Sequence, residues 1–417
     1  MIQATLLLAL ATLAASSPLY ERGTGGYPAA NQKGPTPKPE WVATYNAAKA
    51  AGKIPGFAPA SLVGGVPAYA SGVRTDEKGV CSWSMAHCFG DDDIYEAPDG
   101  MYAIGFDDGP LPSSPRLYDF LQQNNQTASH FFIGSNILNN PSIFDQAVDM
   151  GGHIAVHTWS HPYMTTLTDM EVLGELGWTA QIIFDRSGRV PSWWRPPYGD
   201  ADNRVRAIAQ EVFGLTLVGW WLDTNDWCLS EGGGSSCGPS GPQSDVELRD
   251  ELIGYQQMGK SPGIMALEHE RIDRTVDAFI RTYPGIKQHG WDPRCVPDLF
   301  NEPWYANADR TEDPDESAQV GTGPFGPSSL PVSSTSSASS SAAASSSASA
   351  ASDPTTAASS TAATTTIRTA SFSSSSAASA ASQLAPSSTP TSGASTSYTA
   401  STVLLLAAST LGLAFFA

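Results

Sequence analysis

The sequence predicts an α/β fold: a distorted (β/α) barrel with an irregular N-terminal extension and a disordered Ser/Thr/Ala-rich C-terminal stalk. Three observations carry this expectation. Short β-favouring apolar runs alternate with amphipathic stretches over roughly 200 residues, as in parallel strands joined by helices. Charged and imidazole side chains fall just after several of those runs, where parallel strands of a barrel present reactive groups at one mouth. Both ends of the 417-residue chain differ sharply in composition from its middle.

At the start, residues 1–17 hold an uncharged apolar run, 6–13, followed by Ala14, Ala15, Ser16 and Ser17. This reads as a secretory signal peptide, since the run is too short to span a bilayer. Residues 18–99 are rich in Gly, Pro and Ala, with a helix expected at 40–51, and read as an extension packing on the core. Strands are expected at 101–106, 129–133, 153–156, 215–222 and 263–267. Helices are expected at 115–123, 142–150, 169–185, 201–213, 245–258 and 271–283. With only these strand signals, fewer than eight regular barrel units are expected. The core then spans 100–300, and 301–327 form its closing segment.

Residues 328–402 are almost entirely Ser, Ala and Thr with scattered Pro. So little apolar bulk cannot offset the entropy of ordering, which predicts a disordered, O-glycosylated stalk. The small residues Ser392, Gly393 and Ala394, a polar spacer and the apolar stretch 403–417 form the pattern of a GPI-attachment signal. Together these features predict a chain secreted to the cell surface and GPI-anchored to the plasma membrane and cell wall.

A secreted chain meets oxidising conditions, so its five cysteines predict disulfides with one thiol left over. Cys228 and Cys237 flank a Gly-rich stretch and close a short loop; Cys295 is expected to reach Cys81 or Cys88. No Cys spacing makes a zinc site, so any metal must be held by nitrogen and oxygen. The formal charge of −19 argues against nucleic-acid partners, which call for clustered Lys and Arg. A neutral glycan is compatible with it, and a monomer is expected. Asn125-Gln126-Thr127 is an N-glycosylation sequon, expected at the surface.

His157 and His161 lie four residues apart and can face one ion across a turn, with a carboxylate from another loop completing a ligand set open to water and substrate. Alone, such a pair is more often two surface histidines. Here Pro162 follows directly and a strand precedes, which argues against an exposed helix. Such a site suits hydrolysis, because bound zinc acidifies its water and polarises a carbonyl. Asp107 and Asp108 cannot both be equivalent ligands from one tight turn, since successive side chains diverge. His269, a step past the last strand run, is a further titratable group at the same mouth.

Gly105-Phe106-Asp107-Asp108-Gly109-Pro110, His157-Thr158-Trp159-Ser160-His161, Arg195-Pro196-Pro197-Tyr198-Gly199, Asp223-Thr224-Asn225-Asp226-Trp227 and Leu267-Glu268-His269 resemble, in this order, the five motifs of the polysaccharide deacetylases, carbohydrate esterase family four. Within that family the motifs look similar to those of the fungal chitin deacetylases. The resemblance covers residues 100–284, with one departure: a Thr commonly precedes Phe-Asp-Asp, whereas Gly105 stands here. It implies that Asp108, His157 and His161 bind a divalent metal ion, zinc or cobalt. Asp107 would be the base, held by Arg195. His269 would be the acid that protonates the leaving nitrogen, oriented by Asp226, with Asp223 as the alternative. The backbone N–H of Tyr198 would meet the oxyanion, and Trp227 and Leu267 would take the acetyl methyl group. The dense tryptophans 159, 193, 194, 220, 221 and 227 would divide between core and sugar contact, with Trp220 or Trp221 buried.

The implied activity is hydrolysis of the N-acetyl groups of chitin or chitin oligomers, giving chitosan and acetate. Three alternatives stand beside it. One is a deacetylase of peptidoglycan or O-acetylated xylan, and another an inactive glycan-binding wall protein. The third is a glycosidase, which would use paired carboxylates and leave the histidines unexplained.

Overall fold

Strand formation follows the apolar runs, but in shorter pieces than their lengths suggest. The computed structural model describes residues 26–315 and 317–324. A hairpin of β1 (Ser61–Val63) and β2 (Val66–Ala68) belongs to the extension. The core strands are β3 (Met101–Ala103), β4 (Gly105–Asp107), β5 (Ser129–Phe132), β6 (His153–Val156), β7 (Trp193–Trp194), β8 (Thr216–Leu217), β9 (Leu222–Asp223), β10 (Ile264–Leu267) and β11 (Asp292–Arg294). They form two parallel sheets, ordered β11-β3-β10-β9 and β4-β5-β6-β7-β8. Only Ile104 separates β3 from β4, and a parallel bridge joins Asp107 to His269.

Each long helix lies where an amphipathic stretch predicted it. Ser114–Gln123, Pro141–Asp149, Asp169–Ser187, Asn203–Phe213, Asp245–Gln256 and Asp273–Gln288 follow β4, β5, β6, β7, β9 and β10 in turn. Parallel strands require such crossovers, and these cover the sheets with apolar faces. Helix Asp169–Ser187 opens with a full capping box between Thr168 and Glu171, which fixes its start beside the His157–His161 loop. Helix Asp273–Gln288 outruns the expected 271–283 by passing through Pro284. Burial of Tyr283 and Ile286 holds the turn across that break.

Residues before β3 pack against the helices and strands that follow. Helix Pro39–Ala50 sets Trp41 so close to Gly177 that a side chain there would collide with its ring, and the Pro35 backbone likewise leaves no room at Gly174. Trp41 Nε1 donates to the Val320 carbonyl, which ties extension and closing segment together. Ile94 and Ala97 bridge Val218 and Gly263, so the sheets begin to form before residue 100. Trp304 and Tyr305 of the closing segment are buried, and the Tyr305 hydroxyl accepts from Ile154 N–H at 2.9 Å.

One disulfide expectation is corrected. Cys81 pairs with Cys88 and Cys228 with Cys237, leaving Cys295 free and buried. Cys295 sits in the main apolar cluster, where burial pushes its thiol well above the usual range, so it behaves as a small hydrophobe. Asn125 is exposed, as a sequon should be. The expected signal peptide, stalk, attachment cluster Ser392, Gly393, Ala394 and apolar tail lie outside the described residues.

Candidate metal centre and active site

Asp107 ends β4 and Asp108 begins the loop after it, so one carboxylate inherits the strand's rigidity and the other the loop's direction. Asp108 takes φ 72°, a left-handed conformation that costs an L-residue. Thr158, His161, Tyr198 and Asn225 also have positive φ, at 65°, 58°, 59° and 50°. Strained backbone thus concentrates in the loops that carry the motifs.

His157 follows β6. Its Nδ1 lies 2.7 Å from the Arg195 carbonyl, which can only accept, so Nδ1 carries the proton. Its Nε2 faces carboxylate oxygens, Asp108 Oδ1 at 3.5 Å and Asp107 Oδ2 at 3.8 Å. His161 brings its Nε2 within 3.2 Å of the same Asp108 oxygen, and that buried oxygen has no hydrogen-bond donor among the described residues. One atom from each of Asp108, His157 and His161 lies within 4.8 Å of the others. Two imidazoles and one carboxylate can hold a divalent metal ion. Burial alone would raise the Asp108 carboxyl, but His161 and His157 outweigh it and hold the carboxyl well below the usual carboxylate range.

Arg195, just past β7, is as buried as Asp107 and donates from Nη1 to Asp107 Oδ1 at 2.7 Å. Its Nε and Nη2 donate to the Val218 and Gly219 carbonyls, and its guanidinium lies over the Phe131 ring. The arginine therefore has no freedom to swing. A buried pair so satisfied keeps the Asp107 carboxylate aimed.

On the adjoining strand end, Asp226 takes both a side-chain and a backbone donor from His269. The His269 Nδ1 is 2.6 Å from Asp226 Oδ1, and its N–H donates to Oδ2 at 2.7 Å. Burial would lower the imidazole, yet Asp226 overrides it and His269 is pushed up to about 9. Asp223, the alternative partner, instead accepts from Asn225 N–H in its own loop. The backbones of the two dyads are laced together: Asp107 N–H donates to Glu268, and Glu270 N–H donates to Asp107.

Around this centre, Leu267 is buried at the end of β10, while Trp227 is 40% exposed and Tyr198 49%. Tyr198 stacks on Tyr163 at 4.1 Å and meets His161 edge-on at 4.7 Å. Trp159, Trp193, Trp194 and Trp220 are buried.

Two neighbours escaped the sequence reading. Glu175, fully buried in helix Asp169–Ser187, accepts from Trp159 N–H, Ser160 N–H, Ser160 Oγ and Gly34 N–H. No motif marks it; a lone acid on the apolar face of a helix was its one signal. Arg271, two residues beyond His269, has Nε 3.4 Å from Asp108 Oδ2.

Residues 95–218 match the family model described as polysaccharide deacetylase. The chain is 42% identical over 266 residues to chitin deacetylase 3 of Cryptococcus neoformans var. neoformans, covering 63% of each chain. Over 229 residues it is 38% identical to a chitin deacetylase of Amylomyces rouxii, covering 52% of this chain and 51% of that one. It is 31% identical over 255 residues to chitin deacetylase 1 of Saccharomyces cerevisiae, covering 59% of this chain and 79% of the relative. Among solved structures, the chitin deacetylase of Colletotrichum lindemuthianum aligns at TM-score 0.46 and 20% identity, over 53% of this chain and 96% of that one. The chain thus spans 63% of the length of the Cryptococcus relative and more of the Saccharomyces one. With that coverage and the matched model, the chain belongs to the polysaccharide deacetylase family.

Proposed function

We propose that this protein hydrolyses the N-acetyl groups of chitin, with a divalent metal held by Asp108, His157 and His161. The observation that carries the reading is two fixed, buried dyads, Arg195–Asp107 and Asp226–His269, adjoining one N/N/O ligand set. A bound divalent cation supplies Lewis acidity toward the acetyl carbonyl and makes water easier to deprotonate. Asp107, fixed by Arg195, accepts the proton of the attacking water. His269 donates a proton to the amide nitrogen as the C–N bond breaks, because an amide anion is a very poor leaving group. The Tyr198 N–H meets the oxyanion and Leu267 with Trp227 receives the methyl group. The products are acetate and a free glucosamine unit. Relatives named chitin deacetylases support this substrate over peptidoglycan or xylan.

Acetate release from chitin oligomers, with and without chelator, tests the reading. Metal-dependent acetate supports it. Shortened oligomers without acetate would replace it with a glycosidase, and binding without product with a lectin-like wall protein.

The two sheets are read as one distorted barrel, since β3 runs into β4 through a single residue. The chain is further read as secreted and held at the cell surface through a GPI anchor, from the composition of 1–17 and 392–417. Cells treated with a phosphatidylinositol-specific phospholipase should release it; recovery of the mature protein with 403–417 intact would overturn the anchor.

A further inference from the structure

We propose that the N-terminal extension builds a sugar-binding subsite beside the metal ligands, taking the unit next to the one being deacetylated. This inference rests on the reading of the chain as a chitin deacetylase. A cavity of about 340 Å³ opens directly at His161. Tyr163 and Tyr198 line it from the core, and Asn31, Lys33 and Leu62 line it from the extension. Its size lies near the lower end of the roughly 300–1,000 Å³ typical of small-molecule sites, fitting a sugar unit rather than a long run of polymer.

The lining chemistry selects the ligand. Stacked Tyr163 and Tyr198 offer an aromatic surface of the kind that packs on the C–H faces of a pyranose ring, and Tyr198 is half exposed. Asn31 and Lys33 are exposed and have no side-chain hydrogen bond or ion pair among the described residues, leaving an amide and an ammonium free for hydroxyl and acetamido oxygens. Leu62, on the extension's hairpin, is 50% exposed, an apolar group suited to a methyl or a ring face. No carboxylate lines the cavity, although the chain carries a formal charge of −19. A neutral, hydroxyl-rich and amide-bearing ligand fits; a cation does not.

The wall is built rather than draped. Gly34 N–H donates to Glu175, the same carboxylate that holds Trp159 and Ser160 in the ligand loop. Trp159 Nε1 donates to the Ala29 carbonyl and Trp178 Nε1 to that of Thr36. Residues 29–36 are thereby stitched at both ends to the elements that carry His157 and His161. The backbone that carries Asn31 and Lys33 is preorganised in this way, and only their side chains remain to be ordered by a ligand.

The test uses the full chain supplied with zinc and two variants, Leu62→Ser and the double substitution Asn31→Ala with Lys33→Ala, all at exposed positions. Acetate release from the N-acetylglucosamine tetramer gives kcat and KM. Calorimetry of tetramer binding in an Asp107→Asn background gives Kd. Expected for the double variant is a rise of about tenfold in both KM and Kd, with kcat within twofold and metal content unchanged; Leu62→Ser should raise both by a smaller factor. KM and Kd equal to wild type in both variants, with acetate still released, would overturn the subsite and leave the reaction standing. Variant-sensitive binding without acetate from the wild-type chain would support the subsite and overturn the reaction. A wild-type chain that neither binds nor releases acetate would overturn both.

Discussion

Asp107 and Asp108 are chemically identical neighbours with different surroundings, in keeping with the two roles proposed for them. Asp107 is gripped by Arg195, whereas Asp108 meets two imidazoles and leaves an oxygen without a donor. Asp107→Asn should therefore keep bound metal near one per chain and lower kcat by roughly 100-fold or more, because the amide cannot take the proton. Asp108→Ala should lose metal and recover part of its activity at high added metal. Elemental analysis beside acetate kinetics checks both, and the opposite pattern would exchange the two roles. His269 gives a second expectation. Its folded-state value is raised to about 9 by Asp226, so the protonated acid is populated at neutral pH. The stability drawn from this pair is complete below the unfolded value of about 6.5 and is lost as pH rises through about 9. In metal-free protein, the His269 imidazole should titrate near 9 by NMR and fall towards 6.5 in Asp226→Asn. An unshifted midpoint in that variant would show that Asp226 does not control the ring.

At the scale of elements, the loop 228–237 repeats the division between scaffold and site. The 3-10 turn Asp226–Cys228 carries the partner of His269, and the bond to Cys237 closes the exposed Gly-rich segment behind it. So short a loop stabilises the whole fold less than a long one would, but it limits how far Asp226 can wander. Cys237→Ser should lower kcat several-fold while moving the melting temperature by only a few degrees. A large loss of stability with kcat intact would reverse that ranking. Elements also mark where the sequence was readable. The runs behind β3 to β6 and β10 carry enough apolar residues to declare themselves. By contrast, β7 has two residues and β11 is Asp-Pro-Arg, a string that reads as a turn. Motif residues could be picked out by spacing, but the positive φ of Thr158 and His161 could not, because β-branched Thr disfavours it and His adopts it in only a small minority of cases. The convergence of the two imidazoles depends on this loop, not on a helical turn. Glu175 was illegible for a related reason: three of its four donors are backbone N–H groups, which leave no trace in residue identity.

Across the whole molecule, two regions distant in sequence share one acceptor. Glu175 binds Gly34 of the extension and Trp159 and Ser160 of the ligand loop, so neither can loosen without weakening the other's anchor. Thermodynamic linkage makes that dependence reciprocal: whatever steadies the ligand loop steadies the extension by the same free energy. Metal occupancy should thus be legible far from the ion, as resistance of residues 26–36 to protease, gained with zinc and lost with chelator. Glu175→Gln should uncouple the two, cutting the zinc-dependent protection while leaving all three ligands in place. Protection that ignores zinc in the wild-type chain would show the shared carboxylate to be a passive tether. A segment that no motif marks would otherwise serve as the protein's own gauge of whether its centre is loaded.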